Sequence, residues 1–346
     1  VASDTNRLTG GLSEIGGRLG KTDGRIMTHQ WKLRDPVARA ARTVGQSFLA
    51  DARAAETSLL DSDRHRRTVT DEALHDFRVA TRRLRSWQRA FTPWLGKAAS
   101  RKMRRRLRAI ARATSASRDT VVQLAWLKQQ RRTMSARQRS GVDDLIAYLK
   151  EQQPSHTVES LTAAHDFHAL SARLGRRLKR SGRATRARSA ADQQRFSVVA
   201  ARLVRDASRA LRQRLASVHT ASDETAVHKA RIAVKRLRYL MEPIVRAHDD
   251  SRRADGERLI GQLTQLQDLL GDLHDAHVLA LIVVDAEPSP GMLGIARRLR
   301  GRRMRSFAAI EPDWLGGGVA PFFDDLRWFC GELVGTNRRR DLCDPA

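Results

Sequence analysis

The sequence predicts an all-α protein in two halves, each with four or more helices antiparallel to their neighbours. Three observations predict it. Apolar residues recur at helical spacing along most of the chain, and no stretch alternates as a strand would. Pro93 with Gly96, Pro288 with Pro290, and Gly316-Gly317-Gly318 fall between these runs, where they stop helices. A twelve-residue pattern also occurs twice, 153 positions apart. The copies are Leu74-His75-Asp76-Phe77-Arg78-Val79-Ala80-Thr81-Arg82-Arg83-Leu84-Arg85 and Val227-His228-Lys229-Ala230-Arg231-Ile232-Ala233-Val234-Lys235-Arg236-Leu237-Arg238. Such a repeat points to an internal duplication.

Residues 1–34 are rich in Gly and polar residues and read as a poorly ordered arm. Their glycines lack the G-x-x-x-x-G-K-[ST] spacing of a phosphate loop. Asp35 as N-cap and Pro36 at the first helical position open a helix running to about Leu60. Residues 61–70 form a loop, and Thr70 or Asp71 caps the first motif helix, which Pro93 and Gly96 end. Helices at 98–114, 118–134, 135–150 and 158–181 complete a first half spanning 35–181. Residues 182–195 read as a linker. The second half, 196–336, carries helices near 196–218, 224–247, 253–271, 275–286, 291–309 and 319–335. Asp119 and Asp275, at matching places in the two halves, read as helix N-caps. Residues 337–346 are a basic tail with Arg338-Arg339-Arg340.

Neither motif copy contains Gly or Pro, and both are rich in helix-forming residues. With His75 at zero and a step of about 100° per residue, Arg82 falls near 340°, Arg89 near 320°, Arg78 near 300° and Arg85 near 280°. Phe77, Ala80, Leu84, Trp87 and Phe91 fall between roughly 120° and 200°. The helix thus splits into a cationic flank and an apolar flank. The second copy splits alike, with His228, Arg231, Lys235 and Arg238 opposite Ala230, Ala233, Leu237, Leu240 and Ile244. Arg83 and Arg236 lie about 80° round from the histidines and suit either phosphate contacts or structural ion pairs. The helix at 98–114 carries a further basic stripe of Arg101, Arg105, Arg108 and Arg112, expected to face the first across a groove.

As read over the motifs, neither stripe holds a carboxylate. Like charges at i,i+3 and i,i+4 cost a few tenths of a kcal/mol per pair, so a purely structural helix would interleave Glu. One basic helix could be a solvated face. Two copies with the same histidine and basic positions favour a shared anionic ligand.

Net charge agrees. The chain has 65 Lys and Arg against 38 Asp and Glu, a formal +27, and only 9 of the cations are Lys. Such a charge favours polyanions: nucleic acid, polyphosphate or an anionic membrane surface. Arg adds planar, bidentate contacts to phosphate oxygens. A bias toward Arg codons explains part of the count but not the alignment on helix faces. Cys330 and Cys343 have no zinc-site spacing and fit a reducing, cytoplasmic setting. No segment approaches the roughly 20 apolar residues of a membrane span. Residues 1–30 lack a signal-peptide core.

The paired motifs, His75 followed by Arg-Arg-Leu-Arg and His228 followed by Lys-Arg-Leu-Arg-Tyr, resemble the signature of CHAD domains, the conserved-histidine α-helical domains. The resemblance spans roughly residues 36–336. It implies two pseudo-symmetric helical bundles and binding of inorganic polyphosphate. One departure is Arg118-Asp119-Thr120-Val121-Val122, where CHAD domains usually show Arg-Asp-x-Asp-Val. CHAD domains are often fused to a CYTH triphosphate hydrolase with an E-x-E-x-K motif, and this chain contains no Glu-x-Glu.

The expected function is therefore non-catalytic binding of inorganic polyphosphate in a basic groove between the bundles. The expected site is His75, Arg78, Arg82, Arg83, Arg85, Arg89, Arg101, Arg105, Arg108, His228, Arg231, Lys235, Arg236 and Arg238. No cofactor is expected, and association with polyphosphate granules is a further expectation. A metal site is not expected, because His165 with His168 and His274 with His277 lack the H-E-x-x-H pattern and a third ligand. The alternative is an RNA- or DNA-binding protein using the same basic surface. That reading wants stacking rings beside the cations, and only Tyr239 lies near the basic flank.

Overall fold

The computed structural model describes residues 31–66, 71–114, 116–183, 193–248, 250–285 and 289–335. The chain is all-α. Its helices are α1 (Val37–Arg66), α2 (Asp71–Ala90), α3 (Thr92–Leu95), α4 (Arg101–Ala113), α5 (Ala116–Arg131), α6 (Ala136–Arg183), α7 (Phe196–Leu215), α8 (Glu224–Arg246), α9 (Asp250–Asp285), α10 (Pro290–Trp314) and α11 (Ala320–Val334). A short 3-10 turn, Gly96–Ala99, links α3 to α4. The motif copies lie in α2 and α8.

Two expected breaks are absent. The segments read as 135–150 and 158–181 form the single helix α6, and those read as 253–271 and 275–286 form α9. The physical reason is that each long helix serves two apolar cores. In its first part α6 buries Val142, Leu145 and Leu149 against Leu127 of α5, Leu279 of α9 and Ile295 of α10. In its second part it buries Phe167, Leu170, Leu174 and Leu178 with Phe48 of α1 and Phe77 of α2. Helix α9 likewise gives Leu259, Leu263 and Leu270 to one core and Ala276, Leu279 and Val283 to the other. Packing along a continuous helix overrides the local stop signals at Pro154 and Gly271. The larger core draws on α1, α2 and α6 together with α7, α8, α9 and α11, so residues from both sequence halves share it.

The caps change accordingly. Asp275 lies inside α9, and Asp119 follows the start of α5 at Ala116, so neither is an N-cap. Asp35 is not the cap of α1 either. Its carboxylate accepts the Lys32 backbone N–H at 2.9 Å, while the Pro36 carbonyl accepts from Arg39 and Ala40. Helix α1 continues to Arg66, past the loop start expected at 61. Helix α2 ends at Ala90, before Pro93, and α3 follows. The arm expected at 1–34 reaches into the fold at its end: Trp31 packs edge-on against Phe196 at 4.9 Å, and the Ser197 N–H donates to the Leu33 carbonyl at 2.9 Å. The rest of that arm, most of the linker and the basic tail with Cys343 lie outside the described residues. Cys330 is fully buried, and burial pushes its thiol up to about 11, which makes it inert.

Candidate functional site

The apolar flanks of the motif helices fix which way their cations point. In α2, Phe77, Leu84 and Trp87 are buried, with Phe77 edge-on to Phe167 at 5.4 Å. The Trp87 indole N–H donates to the Ala41 carbonyl at 2.8 Å, which satisfies a buried donor and fixes the ring. In α8, Val227, Val234, Leu237, Met241 and Ile244 do the same. With those faces inward, α2 packs against α8 and α4, and α8 packs against α7 and α9.

Where α2 meets α8, one carboxylate holds two of the expected site arginines. Glu242, with its side chain 7% exposed, lies 2.9 Å from Arg83 of α2 and accepts from Arg238 of α8 at 2.8 Å. The Arg83 contact is paired by charge but misses hydrogen-bond alignment. Arg238 also donates to Gln267 of α9 at 3.1 Å and lies over the Tyr239 ring at 4.8 Å. Arg83 and Arg238 therefore join elements of the fold. Glu242 escaped the sequence reading because the second stripe was followed only to Arg238. One more turn reaches it.

Elsewhere on α2 and α8 the cations act on one another with no carboxylate among the causes. The Arg85 guanidinium sits below its ordinary pKa, through burial first and then through Arg82, Arg108 and Arg89. The Arg236 guanidinium is lowered too, through burial first and then Arg89, Arg85 and Arg214. Arg236 is exposed. All stay charged, since arginine does not deprotonate in this pH range. Among the described residues, Arg85, Arg89, Arg108 and Arg236 have no acidic partner within ion-pair distance. The electrostatic neighbours of Arg85 and Arg236 thus come from α2, α4 and α7. Arg214, on α7, was missed because no repeated pattern marks it.

The histidines occupy a different place. His228 Nδ1 lies 3.3 Å from Nε2 of His274 on α9. Burial first, then Arg231, His228, His277 and Lys235, push the His274 imidazole down to about 3. His274 is therefore neutral at physiological pH, and its Nδ1 is buried without a hydrogen-bond partner. The neighbouring His277 ring, 3% exposed, donates its Nε2 proton to the Ala221 carbonyl at 2.7 Å, and burial holds it too below the usual imidazole value. Arg231 reaches within 4.0 Å of Asp275. The sequence marks His274 by its pairing with His277 and not as a partner of His228.

The remaining expected residues divide by exposure. His75, Arg89, Arg101, Arg105 and Arg108 are exposed, whereas Arg82 and Lys235 are half-buried. Arg78 is buried at 4%, although its spacing put it on the cationic flank. His168, set aside as an isolated histidine, lies 2.9 Å from buried Glu56. Tyr239 is itself buried. Two cavities, of about 390 Å³ between α5 and α10 and about 440 Å³ at the start of α8, have no motif arginine in their lining. Arg214 lines the second. Among the described residues no helix is long and apolar enough to cross a membrane.

The model of the CHAD domain family matches residues 43–283. Among solved structures, the fold is similar to the crystal structure of the CHAD domain from the plant Ricinus communis, with a TM-score of 0.63 and 19% sequence identity. That similarity covers 89% of this chain and 97% of the other. No curated protein matches.

Proposed function

Because this chain belongs to the CHAD domain family, we propose that it binds inorganic polyphosphate on the basic surface where α2 and α8 meet, and does not hydrolyse it. One observation carries the reading: Arg85, Arg89, Arg108 and Arg236, on three helices of which α2 packs against the other two, act on one another with no carboxylate among them. Holding like charges together costs stability in the empty protein, and a polyanion offsets that cost. Arginine suits the task, since its fork matches pairs of phosphate oxygens. The groove expected between the bundles would follow this helix crossing, with Arg101 and Arg105 of α4 extending it. Histidines 75 and 228 would donate hydrogen bonds at its margin. The cytoplasm, where the chain's cysteine usage fits, is the expected setting.

Around the α2–α8 crossing the aromatic positions favour polyphosphate over nucleic acid. Single-strand binders stack bases on rings beside their cations. Here Phe77, Trp87 and Phe91 are in the core, and Tyr239 lies buried beside Arg238. The test is competition for a fluorescent oligonucleotide. Long-chain polyphosphate should displace it at a far lower concentration than unlabelled oligonucleotide of equal charge, and the reverse order would favour nucleic acid. Reversing charge at both Arg82 and Lys235 (R82E with K235E) should abolish polyphosphate binding and leave the helical circular dichroism intact. Retained affinity would count against this surface. Phosphate release in a malachite-green assay would overturn the non-catalytic reading.

A further inference from the structure

The repeat offset of 153 pairs Arg83 with Arg236, Arg85 with Arg238, and Arg89 with Glu242. Contacts between α2 and α8 are reciprocal in position. The 80° flank of α2, at Arg83, meets the 320° flank of α8, at Glu242. With α2 packed on α8 and the Arg83–Glu242 contact fixing their register, the repeat offset sets Arg236, on the 80° flank of α8, opposite Arg89 of α2, and Arg89 and Arg85 are its electrostatic neighbours. In charge the two contacts differ. The first is an Arg–Glu–Arg cluster, largely buried and reduced by Glu242 to a net charge of +1. Its counterpart has arginine at all three positions. A single difference between the copies, Arg89 against Glu242, decides which side of the crossing is left cationic.

Resting on the polyphosphate reading, we infer that Arg85, Arg89 and Arg236 form the anchoring subsite for a linear oligophosphate, flanked by Arg108 and Arg214. The Glu242 side is a structural clamp that takes no phosphate. The two motif copies therefore have unequal roles: the first supplies Arg85 and Arg89 to the ligand, and the second supplies Arg236 to the ligand and Glu242 to the fold. Three guanidiniums without a counter-ion require an anion of several charges, so tripolyphosphate and longer chains bind here and orthophosphate does not compete at the same concentration.

The substitution Arg89→Glu tests this with two readouts of opposite sign. It places on this side the carboxylate that Glu242 provides on the other, in reach of Arg236 and at i,i+4 from Arg85. The thermal midpoint of the empty protein should rise, while affinity for tripolyphosphate should fall about 100-fold or more. Glu242→Gln should do the reverse, lowering the midpoint without weakening binding. Arg89→Gln, which removes charge without making a pair, should cost about 10-fold in affinity and guards against misfolding of the first variant. Tripolyphosphate binding to Arg89→Glu within about threefold of wild type would overturn the subsite. If Arg82→Glu with Lys235→Glu abolishes binding while Arg89→Glu keeps it, the subsite fails and the polyphosphate reading stands. If both retain binding, both fail.

Discussion

His228 Nδ1 and His274 Nε2 face each other at 3.3 Å, joining the second motif helix to α9 through two imidazoles. A proton on both rings would set N–H against N–H. Burial first, then the nearby Arg231 and then His228, keep His274 neutral, with its pKa down at about 3. In the unfolded chain the same ring titrates near its ordinary value of about 6.5.

The sign of the pH effect on stability follows. Below about pH 6.5 the unfolded state gains a proton that the folded state refuses until near pH 3, so stability should fall steadily across that window as pH drops. His277 is lowered in the same direction and adds to the slope. Urea midpoints measured between pH 7.5 and 4 should show the decline, and His274→Gln should flatten part of it. A midpoint independent of pH would contradict the buried neutral ring.

Ligand binding should carry the opposite proton dependence. A bound polyanion favours the protonated form of an imidazole beside it. Affinity for polyphosphate should rise as pH falls from 7.5 to 6, with proton uptake visible by calorimetry in buffers of different ionisation enthalpy. Replacing His75 and His228 by Gln should remove this dependence and leave a site carried by arginines.

The Glu242 cluster yields a non-additive series. Arg83→Met should cost about 1 kcal/mol and Arg238→Met about 2 kcal/mol, since each alone leaves Glu242 one cation. The double variant strands a buried carboxylate and should cost about 4 kcal/mol, more than the sum. Urea unfolding of the three variants measures the coupling, and simple additivity would show that the arginines act independently.

Two glycines should respond in opposite ways to alanine. At Gly291, where α10 crosses α6, an added Cβ would sit 2.4 Å from the Gln138 carbonyl oxygen, so Gly291→Ala must push the helices apart and should cost about 2 kcal/mol. At exposed Gly261, in α9, a Cβ meets nothing within 4 Å, and Gly261→Ala should gain up to about 1 kcal/mol. Thermal unfolding of both variants checks the pair.

The core beneath the first motif helix sets how firmly its cations are aimed. Phe167 is fully buried against Phe77. Phe167→Ala should cost about 3–5 kcal/mol in urea unfolding, and polyphosphate affinity should weaken as α2 loses its support.

By itself the sequence determined the helical class, because apolar periodicity is a local property that each segment carries alone. It also determined the two motif helices and the flank each buries, since Phe77, Leu84 and Trp87 leave Arg82, Arg85 and Arg89 on the other side. Tertiary structure decided the rest. Helices α6 and α9 run unbroken past Pro154 and Gly271 because distant elements bury both their ends. How α2 crosses α8 placed Arg83 on Glu242 and Arg236 beside Arg85 and Arg89, although spacing gave Arg83 and Arg236 the same angle on their helices. Whether an arginine is neutralised depends on what faces it across that crossing, and helical spacing within one segment holds no information about its partner.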